Sequence, residues 1–110
     1  MGEDWVDEWS AEARSWYERL RPGDQSRVDR VVGVLKERGN LAKMPLSRTL
    51  GHGLFELRFT LDRRQMRITY TFKPGKRILL LTTFAKTRDN EQREVRRARE
   101  ALEALAEGKW

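Results

Sequence analysis

Between Leu54 and Phe84, apolar and polar residues form three blocks, two of which repeat with a period of two. That spacing puts successive side chains on opposite faces of a strand. Leu54–Thr60 (LFELRFT) sets Phe55, Leu57 and Phe59 against Glu56 and Arg58. Met66–Phe72 (MRITYTF) sets Met66, Ile68, Tyr70 and Phe72 against Arg67, Thr69 and Thr71. Ile78–Phe84 (ILLLTTF) is apolar on both faces, as a central, covered strand is. Asp62-Arg63-Arg64-Gln65 and Lys73-Pro74-Gly75-Lys76 have hairpin length and turn chemistry. The pattern predicts an antiparallel meander with adjacent strands in chain order and its apolar face packed on helices.

Outside the meander the period lengthens to 3.6 residues. Ser10 suits a helix N-cap, with Glu12 in the first turn. The helix predicted over about 11–20 buries Ala13, Trp16, Tyr17 and Leu20. Arg21-Pro22-Gly23 breaks it. A second helix, with Asp24 as its expected cap, carries Val28, Val31, Val32 and Leu35 on one stripe and ends at Gly39-Asn40. Residues 41–53 read as loop. Asp89 followed by Gln92 resembles a capping box for a last helix running to about 107, with Val95, Ala98, Leu102 and Leu105 inward and Arg93, Arg96 and Arg97 opposite. Residues 4–9 alternate as a strand would, although Trp5, Trp9 and Trp16 also share a helical face. The predicted architecture is α+β: N-terminal strand, helical hairpin, antiparallel meander and C-terminal helix. At 110 residues, one domain over 1–110 is expected.

Composition removes several classes. No apolar run approaches the ~18 residues of a transmembrane helix. The acidic start, MGEDWVDEW, does not read as a secretory signal, so a cytoplasmic location is expected. With no Cys and one His, a disulfide scaffold, a Cys-rich zinc site and a thiol nucleophile are excluded. No Walker loop, no His/Glu/His metal spacing and no Ser nucleophile elbow is present. No metal or cofactor is expected.

Charge adds the first functional clue. The formal net charge is +6, unevenly spread: residues 1–20 hold six acids and two bases, whereas residues 58–88 hold nine bases and one acid, Asp62. A basic segment of that density attracts polyanions. Nucleic acid is the leading partner, with Arg63, Arg64, Lys76, Arg77 and Arg88 as candidate contacts; anionic lipid and an acidic protein are the alternatives. On the polar face of the meander, hairpin pairing brings Arg58 near Arg67. Facing like charges are destabilising and call for compensation by Glu56 or an anionic ligand. Lys86 follows the third strand directly and can reach the same sheet edge. His52, between two glycines, is the one side chain whose ordinary pKa lies near neutrality. It is a candidate general acid or base, or a plain turn residue.

The chain resembles the RelE/HigB-like toxins of bacterial toxin–antitoxin pairs, and within them the phage-derived HigB-type subgroup. Leu50-Gly51-His52-Gly53-Leu54-Phe55-Glu56-Leu57-Arg58 is similar to that subgroup's LG-x-GLWELR. Arg67-Ile68-Thr69-Tyr70 is similar to its YRI-x-Y, and Ile78 to Thr87 to its IVLLHGFxKK. Glu94-Val95-Arg96-Arg97-Ala98 matches EI-x-x-A, and Trp5 to Leu20 fits the first strand and helix. The resemblance implies a RelE-like microbial RNase fold and ribosome-dependent, metal-independent mRNA cleavage in which a 2′-hydroxyl attacks the adjacent phosphate. It implies a cognate helix-turn-helix antitoxin and higher-order toxin–antitoxin complexes. Arg58, Arg67 and Lys86 become the expected phosphate clamp, transition-state stabiliser and proton donor. Two departures stand out. The second Lys of the FxKK motif is Thr87, with Arg88 as its substitute, and no His or Tyr follows Tyr70, which leaves His52 as the ordinary acid–base group. A gyrase-inhibiting toxin on the same fold and a non-catalytic nucleic-acid-binding module are the alternative functions.

Overall fold

A computed structural model describes residues 4–108. Its elements run β1 (Val6–Trp9), α1 (Ala11–Glu18), α2 (Pro22–Arg38), a 3-10 turn at Gly39–Leu41, β2 (Ser47–Gly51), β3 (Leu54–Leu61), β4 (Arg64–Lys73), β5 (Arg77–Ala85) and α3 (Glu91–Ala106). The three alternating blocks pair antiparallel in chain order, as their pattern predicts. They lie within a five-stranded sheet of order β1-β5-β4-β3-β2. β1 joins β5 in parallel, so the strand reading of residues 4–9 holds over the helical one.

The predicted apolar face forms the main core. Leu57, Ile68, Tyr70, Ile78 and Leu80 are buried, with Phe55 half-buried beside them. They pack on Ala13 of α1 and on Val28, Val31, Val32 and Leu35 of α2. Each such aliphatic side chain contributes roughly 1.5–3 kcal/mol on burial. Ser10 caps α1 as expected, accepting the Ala13 N–H at 3.1 Å, and its hydroxyl donates to the Leu81 carbonyl at 2.6 Å. That bond fastens the start of the helical pair to β5.

Four local expectations are corrected. α2 starts at Pro22, with Arg21 as N-cap and no side-chain cap; Asp24 falls in the first turn. Proline at the first helical position is pre-set for helix and lacks only an N–H that would be unpaired anyway. Residues 47–51, expected as loop, form the edge strand β2. The two predicted four-residue connectors are shorter: Pro74-Gly75-Lys76 closes a three-residue loop, and Asp62-Arg63, like His52-Gly53 between β2 and β3, closes a two-residue one with positive φ at both residues. Such turns match the twist of their strands. Finally, α3 is preceded by Asn90, not Asp89, and the Asn90 side chain makes no cap bond to the helix.

α3 lies on the other face of the sheet. Ala98 packs on Leu54 and Leu81, with Leu50, Ala101, Leu102 and Leu105 around them. The polar face is therefore covered at the Leu54 end. At the other end, where Arg58, Gln65 and Arg67 emerge, it opens onto a concavity of about 370 Å³.

Candidate RNA-binding and catalytic site

Strand register fixes the site in rows. Arg58 of β3 pairs with Arg67 of β4, which pairs with Phe84 of β5. One row outward, Thr60 pairs with Gln65, whose carbonyl accepts the Lys86 N–H at 2.7 Å. One row inward, Arg48 of β2 pairs with Glu56, which pairs with Thr69. Arg58, Arg67 and Lys86 thus converge at one end of one face, as their strand positions imply.

Glu56 lies between the two arginines. Its Oε1 is 3.8 Å from Arg58 Nε and 3.7 Å from Arg67 Nε. Glu56 is 1% exposed and Arg67 2%. The distances are ion-pair distances: neither Glu56 oxygen nor Arg67 Nε has a hydrogen-bond partner. A buried charge is tolerated only where partners compensate it, and here one carboxylate serves two cations. The face carries a surplus positive charge into the concavity. Burial, and then the charge of Arg58, pull the Arg67 guanidinium below its ordinary pKa, while Glu56 opposes that fall.

The guanidinium of Arg67 is fixed by its remaining bonds. Nη1 donates to the Met66 carbonyl at 3.0 Å and Nη2 to Gln65 Oε1 at 3.2 Å. Arg58 is freer, about a quarter exposed, with Nη1 donating to Met44 Sδ at 3.1 Å. Met44, Pro45, Phe59 and Thr60 complete the walls of the concavity. Lys86 is held through its segment. Asn90 Oδ1 accepts the Thr87 N–H at 3.0 Å, and its Nδ2 donates to the Ala85 carbonyl at 2.9 Å. Asn90 therefore staples the β5–α3 connection that carries Lys86 and Arg88.

The other candidates divide between the two ends of the sheet. Arg63 in the β3–β4 turn, Arg64 at the start of β4 and Arg88 after β5 are exposed at the Arg67 end. Lys76 and Arg77 lie at the opposite end, where Arg77 is committed to Glu8 of β1 at 2.5 and 3.0 Å. His52 is also at that end, exposed in the β2–β3 turn. Four strand steps from Leu54 to Arg58, at about 3.4 Å each, put it more than about 13 Å from Arg58. The fold does not bring His52 to the arginine pair. Among the described residues no three His, Asp or Glu side chains gather as a metal-holding group, and no helix is long and apolar enough to cross a membrane.

Sequence reasoning missed Met44, Gln65 and Asn90. Gln65 lies two residues before Arg67, the spacing of one strand face, and could have been found that way. Met44 and Asn90 act through loop geometry that no periodicity reports.

This arrangement of sheet and helices is the fold of the RelE-type toxins. It is similar to a mutant of the E. coli toxin RelE in the free state, with a TM-score of 0.63 and 12% identity over 94% of this chain and 99% of that one. It is also similar to the RelBE2 toxin–antitoxin complex from Mycobacterium tuberculosis, with a TM-score of 0.57 and 16% identity over 76% of this chain and 100% of that one. Residues 15–103 match the family described as phage derived protein Gp49-like, and the chain belongs to that family. No protein of curated function matches the sequence.

Proposed function

We propose that this chain is the toxin of a toxin–antitoxin pair and cleaves mRNA on the ribosome without a metal ion. The observation that carries the reading is the register pairing of Arg58 with Arg67 beside an open concavity, with Lys86 one row away. In the proposed step a ribose 2′-hydroxyl gives its proton to water, its oxygen bonds to the adjacent phosphorus, the P–O5′ bond breaks and the 5′-oxygen departs with a proton from Lys86, giving a 2′,3′-cyclic phosphate and a 5′-hydroxyl. Charge builds on the phosphoryl oxygens during that step. Donors already fixed in place stabilise such charge without reorganising. Arg67, held by Met66 and Gln65, suits that role. Arg58, partly exposed, suits a phosphate clamp, and Lys86 suits protonation of the leaving oxygen. Lys86, Arg63, Arg64 and Arg88 extend the positive field for the strand's approach.

A cognate helix-turn-helix antitoxin would silence the protein, within a higher-order complex, and the proposed setting is the cytoplasm, with residues 1–110 acting as one toxin domain. Inducible expression with mapping of mRNA 5′ ends tests the reading. New 5′-hydroxyl ends within translated frames, with growth restored by the neighbouring antitoxin gene, are expected. Growth arrest with DNA damage and no new RNA ends would replace this reading with gyrase inhibition. Absence of any growth effect would replace it with a binding module.

A further inference from the structure

The concavity at Arg58 and Arg67 does not end there. Pro45, Arg58 and Phe59 also line a second concavity of about 310 Å³, which continues across the apolar side chains Val31, Val34 and Leu46 to Arg27 and Arg30 of α2. Arg27 and Arg30 are both exposed and one helical turn apart. Arg27 makes one long bond, Nε to the Thr60 carbonyl at 3.4 Å, which leans it over β3. Arg30 makes no hydrogen bond or ion pair among the described residues. No carboxylate among them lines either concavity. Arg97 of α3, by contrast, is spent on Glu12 at 2.5 Å and Glu94 at 2.9 Å.

From this we infer that α2 carries a strand-binding track: Arg27 and Arg30 hold phosphates of the single-stranded mRNA adjoining the scissile one, over an apolar floor that leads away from Arg58 and Arg67. The inference rests on the RNA-cleaving reading above and adds a binding site to it. Single-stranded RNA offers regularly spaced phosphates and unstacked bases, which proteins hold with cations and with apolar or guanidinium surfaces. The groove offers both, in the right order. Met44, a large apolar side chain 56% exposed, stands at the junction beside Arg58 and gives an unstacked base a surface next to the reacting phosphate.

The test compares a 2′-O-methylated octanucleotide, which cannot be cleaved, with the matching dinucleotide, both titrated at several salt concentrations. The double variant Arg27→Ala/Arg30→Ala should bind the octanucleotide about tenfold more weakly. Its salt slope should fall by roughly 1.4, because each single-strand phosphate contact contributes about 0.7. Dinucleotide affinity should stay unchanged, and on mRNA-programmed ribosomes KM should rise with kcat retained. Arg27→Gln/Arg30→Gln keeps much of the side-chain stem and serves if the alanine pair folds poorly. Octanucleotide affinity and slope equal to wild type, while Arg67→Ala weakens both RNAs, would overturn the track and leave the cleavage reading standing. Weaker binding to vacant ribosomes with intact octanucleotide affinity would also overturn it, by making α2 a ribosomal RNA contact. If wild-type protein binds neither oligonucleotide, mRNA-programmed ribosomes decide: a KM equal to wild type for Arg27→Ala/Arg30→Ala would overturn the track and leave the cleavage reading standing.

Discussion

Arg58 and Arg67 are direct cross-strand partners, and Glu56 Oε1 lies 3.8 and 3.7 Å from their Nε atoms. Two like charges facing each other across a ladder destabilise it. Glu56 offsets that repulsion from within the sheet, and an RNA phosphate would add to it from the open side. The same pair that costs the fold stability is thus the pair proposed to hold the RNA phosphate.

Neutralising Glu56 should expose that conflict. Removing one partner of a buried ion pair costs about 3–5 kcal/mol, and the partial exposure of Arg58 places Glu56→Gln toward the lower end. Urea unfolding should show a clear fall in midpoint, partly recovered by sulfate, which can stand in for phosphate between the arginines. A midpoint equal to wild type would mean the carboxylate does not hold the pair.

His52 should be dispensable for chemistry. In the turn beyond Leu54, more than about 13 Å along the strand, it is out of reach of a phosphate held by Arg58. His52→Ala should leave the cleavage rate on ribosomes within about twofold, and a loss approaching 10²-fold, the scale of a lost acid or base, would relocate the reacting phosphate.

Gly39 should tolerate no side chain. It ends α2 at φ 54°, and a Cβ there would collide with the Trp5 indole. Overpacking of this kind costs typically 1–3 kcal/mol, so Gly39→Ala should lower the thermal midpoint. Trp5 fluorescence should change with it, since the indole must move. An unchanged midpoint would mean Trp5 is not seated on Gly39.

Asp7 gives β1 an acid-sensitive tie. Burial alone would raise its pKa, but hydrogen bonds from Trp9 and Lys36 outweigh burial and hold it below the ordinary 3.8. A depressed carboxyl contributes stability that is complete above the unfolded value and is lost as pH falls through the folded one. Asp7→Asn should therefore destabilise the protein at pH 7. The gap to wild type should close as pH drops from about 4 through the depressed value. A gap constant from pH 7 to pH 2.5 would contradict the tie.

What the sequence revealed followed from periodicity. Phe55, Leu57, Ile68 and Tyr70 alternate because one face is buried, and the same alternation placed Arg58 and Arg67 on a common face. β2 escaped because an edge strand buries little: within Ser47–Gly51, Ser47 is buried while Arg48 and Thr49 face water, and the glycines after it read as loop. The placement of α3 was visible only in hindsight, in Leu54, Leu79 and Leu81 at one end of an otherwise polar face. Burial of Arg67 rather than Arg58 depends on the covering of individual strand ends, and the approach of α2 to the site depends on how residues 42–46 fold back. Neither leaves a periodic trace.

The central claim is that fixed cations at the Arg58–Arg67 pair and Lys86 perform the cleavage. Single-turnover cleavage of a defined mRNA on purified ribosomes, with wild type, Arg67→Ala and Lys86→Ala, measures it directly. The account predicts that each variant loses on the order of 10²–10³ in rate while still binding antitoxin. Lys86→Ala keeps its thermal midpoint, whereas Arg67→Ala, which takes a buried partner from Glu56, stays folded at a lowered one. Arg67→Ala and Lys86→Ala proteins that stay folded and cleave at the wild-type rate would contradict it.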